Sequence, residues 1–546
     1  VRKGSVRKTY TLAPSIHQQV VSEFSELLSS LAKLDYTSPA ARFKVDYLGR
    51  EFLSKYDAGD STEAGVRRDR AISKWHDMEL RNASTNIRLF VDDEVFFKTT
   101  KKALSSRRIV RVARANILKV LGETPDLEVL YGTFTNGAST SIRRRPDGVA
   151  VKFKVGADVT ARCLSRVREI YDTCETWRHY RQLVNTDSFS VVAGGILFTV
   201  PKNSEIDRVA VKEPDLNMFC QKGVGAFLRK RLKRLLRIDL DDQSRNQKLA
   251  RIGSIDGSLA TLDLSSASDL ISDGLVRALL PAPWFDLLDD IRSSTVVVDG
   301  TPIEVNMFSS MGNAFTFELE TLIFWSLANA VAYLTGTKGT VSVYGDDIIV
   351  PTSIAGLLAK VFAYFGFKVN TKKSFWTGRF RESCGKHWHS GTDVTPFYVR
   401  EPIKHMNRLI HFLNRLRAWA AMPGHGVCDD TFFNFWKKWS RKVPTALYGG
   451  QDTERIDALV TLHQPRMRLV KVRRELTVDP LGGYLHWLRE AELRHPGPID
   501  EPLITSTVVV EHEKFRLWRN VSKGTVNTLY FPSEWIGYGD LDASVR

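Results

Sequence analysis

Two short acidic segments carry most of the chemistry this sequence offers. Residues 340–350 read TVSVYGDDIIV. Val341, Val343, Ile348, Ile349 and Val350 are strong strand formers. Gly345-Asp346 sits between the two runs as a two-residue hairpin turn would. Such a turn projects Asp346 and Asp347 as hard oxygen ligands suited to Mg²⁺, which takes a few carboxylates together with substrate phosphates. An ordinary Gly-Asp hairpin with an incidental second Asp would look the same, because such turns are common. The full string YGDD is rarer, and about a few chains per thousand of this length would contain it by chance.

Upstream, residues 259–269 read LATLDLSSASD. A short apolar strand is expected to end at Asp263, with Asp269 at the start of a helix. Asp263 could instead merely cap that helix. If this strand and the YGDD strands are neighbours in one sheet, their carboxylates converge at one edge. Converging Asp residues are what two-metal phosphoryl transfer needs: one metal lowers the pKa of an attacking 3′-hydroxyl, the other neutralises leaving pyrophosphate. Between the two segments lies SSMGNAFTFELE, residues 309–320. Ser310, Gly312 and Asn313 form a polar turn before a helix expected to run to about Tyr333. A loop of this kind can hydrogen-bond a ribose or a template backbone.

The rest of the chain must hold these segments in place. It has 546 residues, is 43% hydrophobic and 26% charged, and carries 78 Lys+Arg against 62 Asp+Glu, a net charge of +16. This composition excludes wholesale disorder, and the length predicts roughly three to four domain-sized units. The excess positive charge points to an anionic partner, nucleic acid or an anionic membrane surface. Between Leu197 and Arg237 ten Lys/Arg face four Asp/Glu, 10 − 4 = +6, so the charge is concentrated there. Leu228, Leu232, Leu235 and Leu236 recur at helical spacing among Arg229, Lys230, Arg231, Lys233 and Arg234, which predicts an amphipathic basic helix. Either a solvated charged face or a phosphate-facing surface fits that pattern.

The five cysteines are too few and scattered for a disulfide framework and fit a reducing compartment. No apolar run follows the basic VRKGSVRK start, so it does not read as a secretory signal. The longest uncharged stretch, residues 321–337, is short for a spanning helix and reads as a buried core helix. A soluble, intracellular chain is expected. Residues 1–110 look mainly helical. Residues 192–200 read as a strand, strands and helices alternate over 257–400, and from about 401 the pattern is helical again, with a strand-like run at 466–474. The fold class is therefore α+β in several lobes.

In this order the motifs resemble the palm of the viral RNA-dependent RNA polymerases, and more closely the replicase β subunit of the leviviruses, the single-stranded RNA bacteriophages. The carrying segments are residues 200–232, DGSLATLDLSSASD (256–269), SSMGNAFTFELE (309–320), YGDDI (344–348), GFKVNTKKSF (366–375) and RESCGKHWHSGTDVTPFYV (381–399). The resemblance implies a right-hand polymerase with an antiparallel palm sheet flanked by helices. It implies an N-terminal helical region at 1–110, fingers at 111–256, palm at 257–400, and thumb with the C-terminal region at 401–546. It implies Asp263 and Asp346 as the principal ligands of two Mg²⁺ ions, with Asp347 supporting and Mn²⁺ able to substitute. Lys202, Arg208 and Lys212 fall on the segment over the incoming triphosphate, where cations offset phosphate charge. Asp269, Ser310 and Asn313 match the set that checks the ribose 2′-hydroxyl. Lys372 and Lys373 both fit the lysine that protonates pyrophosphate, and Lys373 is preferred. Residues 384–399 match a hairpin supporting the product 3′ end.

The same resemblance implies primer-independent copying of single-stranded genomic RNA from nucleoside triphosphates. It also implies host elongation factors Tu and Ts and a small-subunit ribosomal protein as partners, no membrane, and the bacterial host cytoplasm as location. The sequence departs from the wider polymerase pattern in two places. Five residues separate Asp263 from Asp269, one more than in many RNA polymerases, and the helix after Ser310 lacks a later Asn that many use. Both departures bear on the 2′-hydroxyl contacts.

Other signals point elsewhere. Cys384, His387 and His389 suggest zinc but lack a well-spaced fourth ligand. No G-x-x-x-x-G-K-[ST] string is present. Trp and Phe residues at 412–439 are spaced as helix core, though one or two could stack bases. A reverse transcriptase would share the palm, but it usually carries a bulky aromatic gate after the first Asp, where this chain has LSSASD. A non-catalytic RNA-binding protein would use only the basic surface.

Overall fold

The computed structural model describes residues 12–31, 39–56, 62–91, 94–99, 103–135, 137–143, 152, 157–175, 178, 189–203, 205–420, 429–444, 447–450, 458–461, 467–474 and 504–511. These residues divide into two compact units. One is drawn from the N-terminal residues before Thr62 and from Thr392 onward, the other from Thr62–Gly391.

In the first unit, α1 (Pro14–Leu31) and α2 (Pro39–Glu51) pack with helices Met406–Ala420 and Asp429–Ser440. Val20, Phe24, Leu28 and Leu31 recur at helical spacing along α1 and are all buried. Phe24 meets Phe52 and Phe412 edge-on, at ring-centroid distances of 5.5 and 5.3 Å. The aromatics expected as helix core are core: Phe412, Trp419, Phe432, Phe435, Trp436 and Trp439 are all buried. Lys44 is buried too, its ammonium donating to the Trp419 carbonyl at 2.9 Å and lying 4.5 Å from the centre of the Trp419 ring. The strand-like run near 466 is a strand, Met467–Arg474, paired antiparallel with Ile504–Glu511.

The second unit holds the motifs. Its principal elements in chain order are α3 (Thr62–Val91), α4 (Ser106–Leu121), β1 (Gly195–Pro201), β2 (Asp207–Lys212), α5 (Asp215–Arg231), α6 (Ser244–Asp256), β3 (Leu259–Leu262), β4 (Leu264–Ser265), β5 (Thr295–Val298), β6 (Thr301–Glu304), α7 (Thr316–Thr335), β7 (Ser342–Tyr344), β8 (Asp347–Pro351), α8 (Thr352–Tyr364), β9 (Lys368–Val369), β10 (Phe380–Ser383) and β11 (Lys386–His389). Three small sheets matter for the site, with strand orders β6-β5-β1-β2, β7-β8-β3 and β9-β4. The architecture is α+β, as expected, and is consistent with a right-hand polymerase.

The uncharged stretch forms most of α7, which is apolar on all sides; Leu322, Ile323, Phe324, Leu327 and Val331 are fully buried. It is a core helix, and no helix among the described residues is long and apolar enough to cross a membrane. In β8, Ile348 and Val350 enter the main core while Ile349 packs on the opposite face with Leu259 and Ala250. A strand buried on both faces needs an unbroken apolar run, hence IIV after the acidic pair.

Two local expectations change. The basic helix is not amphipathic along four leucines. Leu228 and Leu232 are buried, but the helix gives way to a wider π-type turn over Leu232–Leu236, closed by Arg237 at φ 55° and leaving Leu235 exposed. Arg229 is committed to Glu318 and Asp241 at 2.6 and 2.7 Å, and Lys233 to Asp239 at 2.6 Å. A hairpin is expected over 384–399; the structure has one earlier, β10–β11. It starts at Phe380 and turns at Cys384-Gly385, both with positive φ.

Candidate active site

The acidic pair sits where strand geometry predicts. In the β7–β8 hairpin Tyr344 pairs with Asp347, so Gly345 and Asp346 are its two turn residues. Gly345 has φ 59°, and a Cβ there would lie 2.3 Å from Phe317 Cε2. Only glycine fits both the left-handed backbone and that space. The Gly345 N–H donates to Thr321 Oγ1 of α7 at 3.0 Å, fixing the turn on the core helix.

On its other side β8 pairs antiparallel with β3, Ile348 opposite Leu262. Asp347 and Asp263 therefore stand one register step beyond that pair, at the same sheet edge. Side-chain alternation carries both to the face shared by Ile349 and Leu259. Asp263 is held from the segment after β9. Asn370 N–H donates to its carbonyl at 2.9 Å, Asn370 Nδ2 to Oδ2 at 2.8 Å, and the Asp263 N–H donates to Ser374 Oγ at 3.0 Å. Ser383 Oγ donates to Asp347 Oδ1 at 3.2 Å. Asp263 therefore ends a sheet strand and does not cap a helix; Asp269 lies in a short 3₁₀ turn, Ser268–Leu270.

The electrostatics are those of crowded like charges. Burial pushes the Asp263 carboxyl up, with Asp346 adding to the shift and Lys373 opposing it. Burial raises Asp346, while its own backbone N–H, Lys373, Arg208 and Lys202 hold it down. Asp347 is pushed up to about 6 by burial and by the charges of Asp346 and Asp263. Asp269 is raised to about 6 by burial, against the pull of Lys74, Lys202 and Arg208. Lys202 is lowered by desolvation and by its cationic neighbours Lys74, Arg208 and Lys373. Seven of the ten expected site residues thus act on one another: Asp263, Asp346, Asp347, Asp269, Lys202, Arg208 and Lys373. Lys212 lies four residues beyond Arg208 on the same face of β2, with its ammonium 5.3 Å from the Phe198 ring centre. Lys372 is exposed, its N–H donating to Asn370 Oδ1 at 3.2 Å.

Ser310 and Asn313 lie in a loop docked on β2. The Val211 N–H donates to the Met311 carbonyl at 2.8 Å, and a Cβ on Gly312 (φ 119°) would lie 2.0 Å from the Val211 carbonyl oxygen. Ser310 Oγ donates to Met307 Sδ at 3.2 Å. Asn313 Oδ1 accepts the Phe315 N–H at 3.0 Å, but its buried Nδ2 has no partner. An unpaired buried donor is costly unless a ligand meets it.

Among the described residues no group of three or more His, Cys, Asp or Glu forms a ready-made metal cage. The donor set nonetheless fits Mg²⁺, which is commonly held by one or two carboxylates completed by substrate phosphates. Half-buried carboxylates that raise one another's pKa are poor as bare anions, and a divalent cation reverses that repulsion. Zinc at the β10–β11 hairpin gains no support. Cys384 is at the tight turn, its thiol pushed far up by burial, and His387 faces Glu382 at 3.4 Å.

Sequence reading missed Lys74 of α3, Asn370, Ser374, Ser383 and Glu320. The last is a buried carboxyl beneath the turn, raised well above its ordinary range by burial and by Asp346, Glu318 and Asp269. Glu320 had a visible signal, being the last charge before the long apolar run of α7. The others touch the site only through long-range packing.

Residues 6–478 match the family model described as RNA replicase, beta-chain. The chain belongs to that family. It is 42% identical over 412 residues to the RNA-directed RNA polymerase beta chain of Escherichia phage MS2, covering 75% of this chain and 74% of that one. It is 40% identical over 453 residues to the RNA-directed RNA polymerase beta chain of Enterobacteria phage fr, covering 82% of each. A similar relation, 40% over 475 residues, links it to the RNA-directed RNA polymerase subunit beta of Enterobacteria phage SP, covering 83% of this chain and 80% of that one. The levivirus resemblance read from the motifs agrees with these relatives.

Proposed function

We propose that this member of the replicase beta-chain family is an RNA-directed RNA polymerase that copies single-stranded RNA by two-metal nucleotidyl transfer and starts without a primer. The observation that carries the reading is the register of β3 against β8. It brings Asp263 beside the Asp346-Asp347 turn, under the charges of Lys373, Lys202 and Arg208.

Asp263, Asp346 and Asp347 would hold two Mg²⁺ ions, which supply a lowered pKa for the 3′-hydroxyl and charge neutralisation at the pyrophosphate. Lys202, Arg208 and Lys212 bind the triphosphate, and their mutual repulsion is relieved when the anion arrives. Lys373 delivers a proton to the leaving pyrophosphate. Asp269, Ser310 and Asn313 face the ribose, where the unpaired Asn313 Nδ2 offers a donor to the 2′-hydroxyl. On this reading 257–400 is the palm, 111–256 the fingers, 401–546 the thumb and C-terminal region, and 1–110 an N-terminal helical region. Elongation factors Tu and Ts, a ribosomal protein partner and the host cytoplasm rest on the levivirus resemblance alone.

The test is RNA synthesis by the purified chain on an unprimed, structured single-stranded RNA ending in CCA, with Mg²⁺ or Mn²⁺ and with or without host factors. Full-length product is expected from unprimed template. Extension of a supplied primer only would overturn the primer-independent start, and no synthesis under any of these conditions would overturn the polymerase reading.

A further inference from the structure

The loop that carries Ser310 and Asn313 is clamped from outside the site by two buried polar side chains that no motif singles out. Gln221, in α5, and Glu213, just after β2, are 0% and 1% exposed. Gln221 Oε1 accepts the Ala314 N–H at 3.2 Å, next to Asn313. Its Nε2 donates to Glu213 Oε2 at 3.1 Å and to the Ile291 carbonyl at 2.9 Å. Glu213 Oε2 also accepts Ser293 Oγ at 2.7 Å. The helix comes close enough because Gly225 lies against the loop: a Cβ there would stand 2.6 Å from the Ala314 carbonyl oxygen. On the opposite side the loop hangs from β2 through Val211 and Met311 at 2.8 Å. Glu213 directly follows Lys212, so one buried pair links the triphosphate-facing strand to the loop facing the ribose.

A buried amide and a buried carboxyl are costly to desolvate, and a core that needed only filling would hold apolar side chains of that size. What this pair does that apolar residues cannot is fix the height and tilt of a backbone N–H one residue from Asn313. We propose that Glu213 and Gln221 are positioning residues that set the ribose selectivity of the chain by holding the 310–314 loop against β2; this rests on the reading that Asn313 meets the 2′-hydroxyl. Removing the Gln221 amide frees Ala314, and the Asn313 donor drifts from the sugar. Ribonucleotides lose a hydrogen bond, and deoxyribonucleotides, which never made it, lose nothing.

The test measures kcat and KM for a ribonucleoside triphosphate and its 2′-deoxy counterpart in primed extension by the purified chain. Gln221→Met, nearly equal in volume, is expected to lower the ribo-to-deoxy ratio of kcat/KM about tenfold, through the ribonucleotide KM, with deoxyribonucleotide addition unchanged. Asn313→Ala is expected to lower the same ratio, and the double variant to lower it no further. Should Gln221→Met fail to fold, Gln221→Glu, which sets a second carboxyl against Glu213 and the Ile291 carbonyl, is expected to lower the ratio. Equal losses for both nucleotides, or an unchanged ratio while Asn313→Ala still lowers it, would overturn the positioning role alone. An unchanged ratio in Asn313→Ala would overturn the ribose reading and this proposal with it.

Discussion

Asp263 and Asp347 stand opposite one another at the end of the β3–β8 ladder, one register step past the pair Leu262–Ile348. Like charges directly opposed on neighbouring strands are destabilising, and here burial sharpens the cost, raising both carboxyls. The fold keeps this pair, anchors one carboxylate through Asn370 and the other through Ser383, and brings the Lys373 charge to bear on Asp263, an arrangement that costs stability and fits the proposed cation site.

Gly345→Ala tests the turn. The left-handed backbone alone costs roughly 1–2 kcal/mol with a Cβ, and contact with Phe317 forces the turn off α7. RNA synthesis should fall roughly 10²-fold, as for a displaced reacting group, with a lower melting temperature and unchanged RNA affinity. Full activity in this variant would show that the turn does not set the carboxylates.

Lys373 and its neighbour separate by single-turnover nucleotide addition. Lys373→Ala should slow addition at least about 10²-fold if it transfers a proton, while exposed Lys372→Ala should stay within about threefold. Lys373→Arg keeps the charge near Asp263 and Asp346 but cannot release a proton at neutral pH. It should therefore remain slow; recovery with Arg would make the role electrostatic only.

Asp269 makes a pH prediction for the chain without nucleotide or metal. Its folded pKa of about 6 lies above the ordinary 3.8. The folded state then holds the proton more tightly, so this group favours folding most below about pH 4 and that contribution is lost as pH rises through about 6. Urea midpoints of Asp269→Asn should fall less than those of the parent chain over this window. Parallel curves would contradict the raised value.

Salt dependence tests the basic surface. Lys233 and Arg229 are already paired with Asp239, Asp241 and Glu318, whereas Lys230 and Arg234 are exposed. If this surface meets RNA phosphates, Lys230→Ala and Arg234→Ala should each reduce the slope of log affinity against log salt by about 0.7, and Lys233→Ala by less. Equal slopes in all three would place the RNA elsewhere.

Much of the site was legible because its parts are local. The YGDD hairpin is written in β-formers around a Gly-Asp turn, and α7 in a long uncharged, mostly apolar run after Glu320. What was illegible depends on distant partners. Nothing near Lys74 shows that α3 brings it to Asp269, and Asn370 and Ser383 are ordinary polar residues until the fold sets them on Asp263 and Asp347. The basic run misled for the same reason. Neither reading of its charges, solvated or phosphate-facing, shows that Arg229 is taken up by Glu318 and Asp241, which lie outside the segment, and the expected leucine stripe ends when the helix loosens after Leu232.

The central claim is that Asp346 serves chemistry and not RNA binding. The direct measurement is RNA synthesis and RNA affinity of Asp346→Asn, side by side with the parent chain. The neutral side chain nearly preserves shape but removes one anionic ligand, so synthesis should fall by at least about 10³-fold while affinity for single-stranded RNA stays within about threefold. Synthesis at the parent rate would contradict the two-metal account, whatever the RNA affinity.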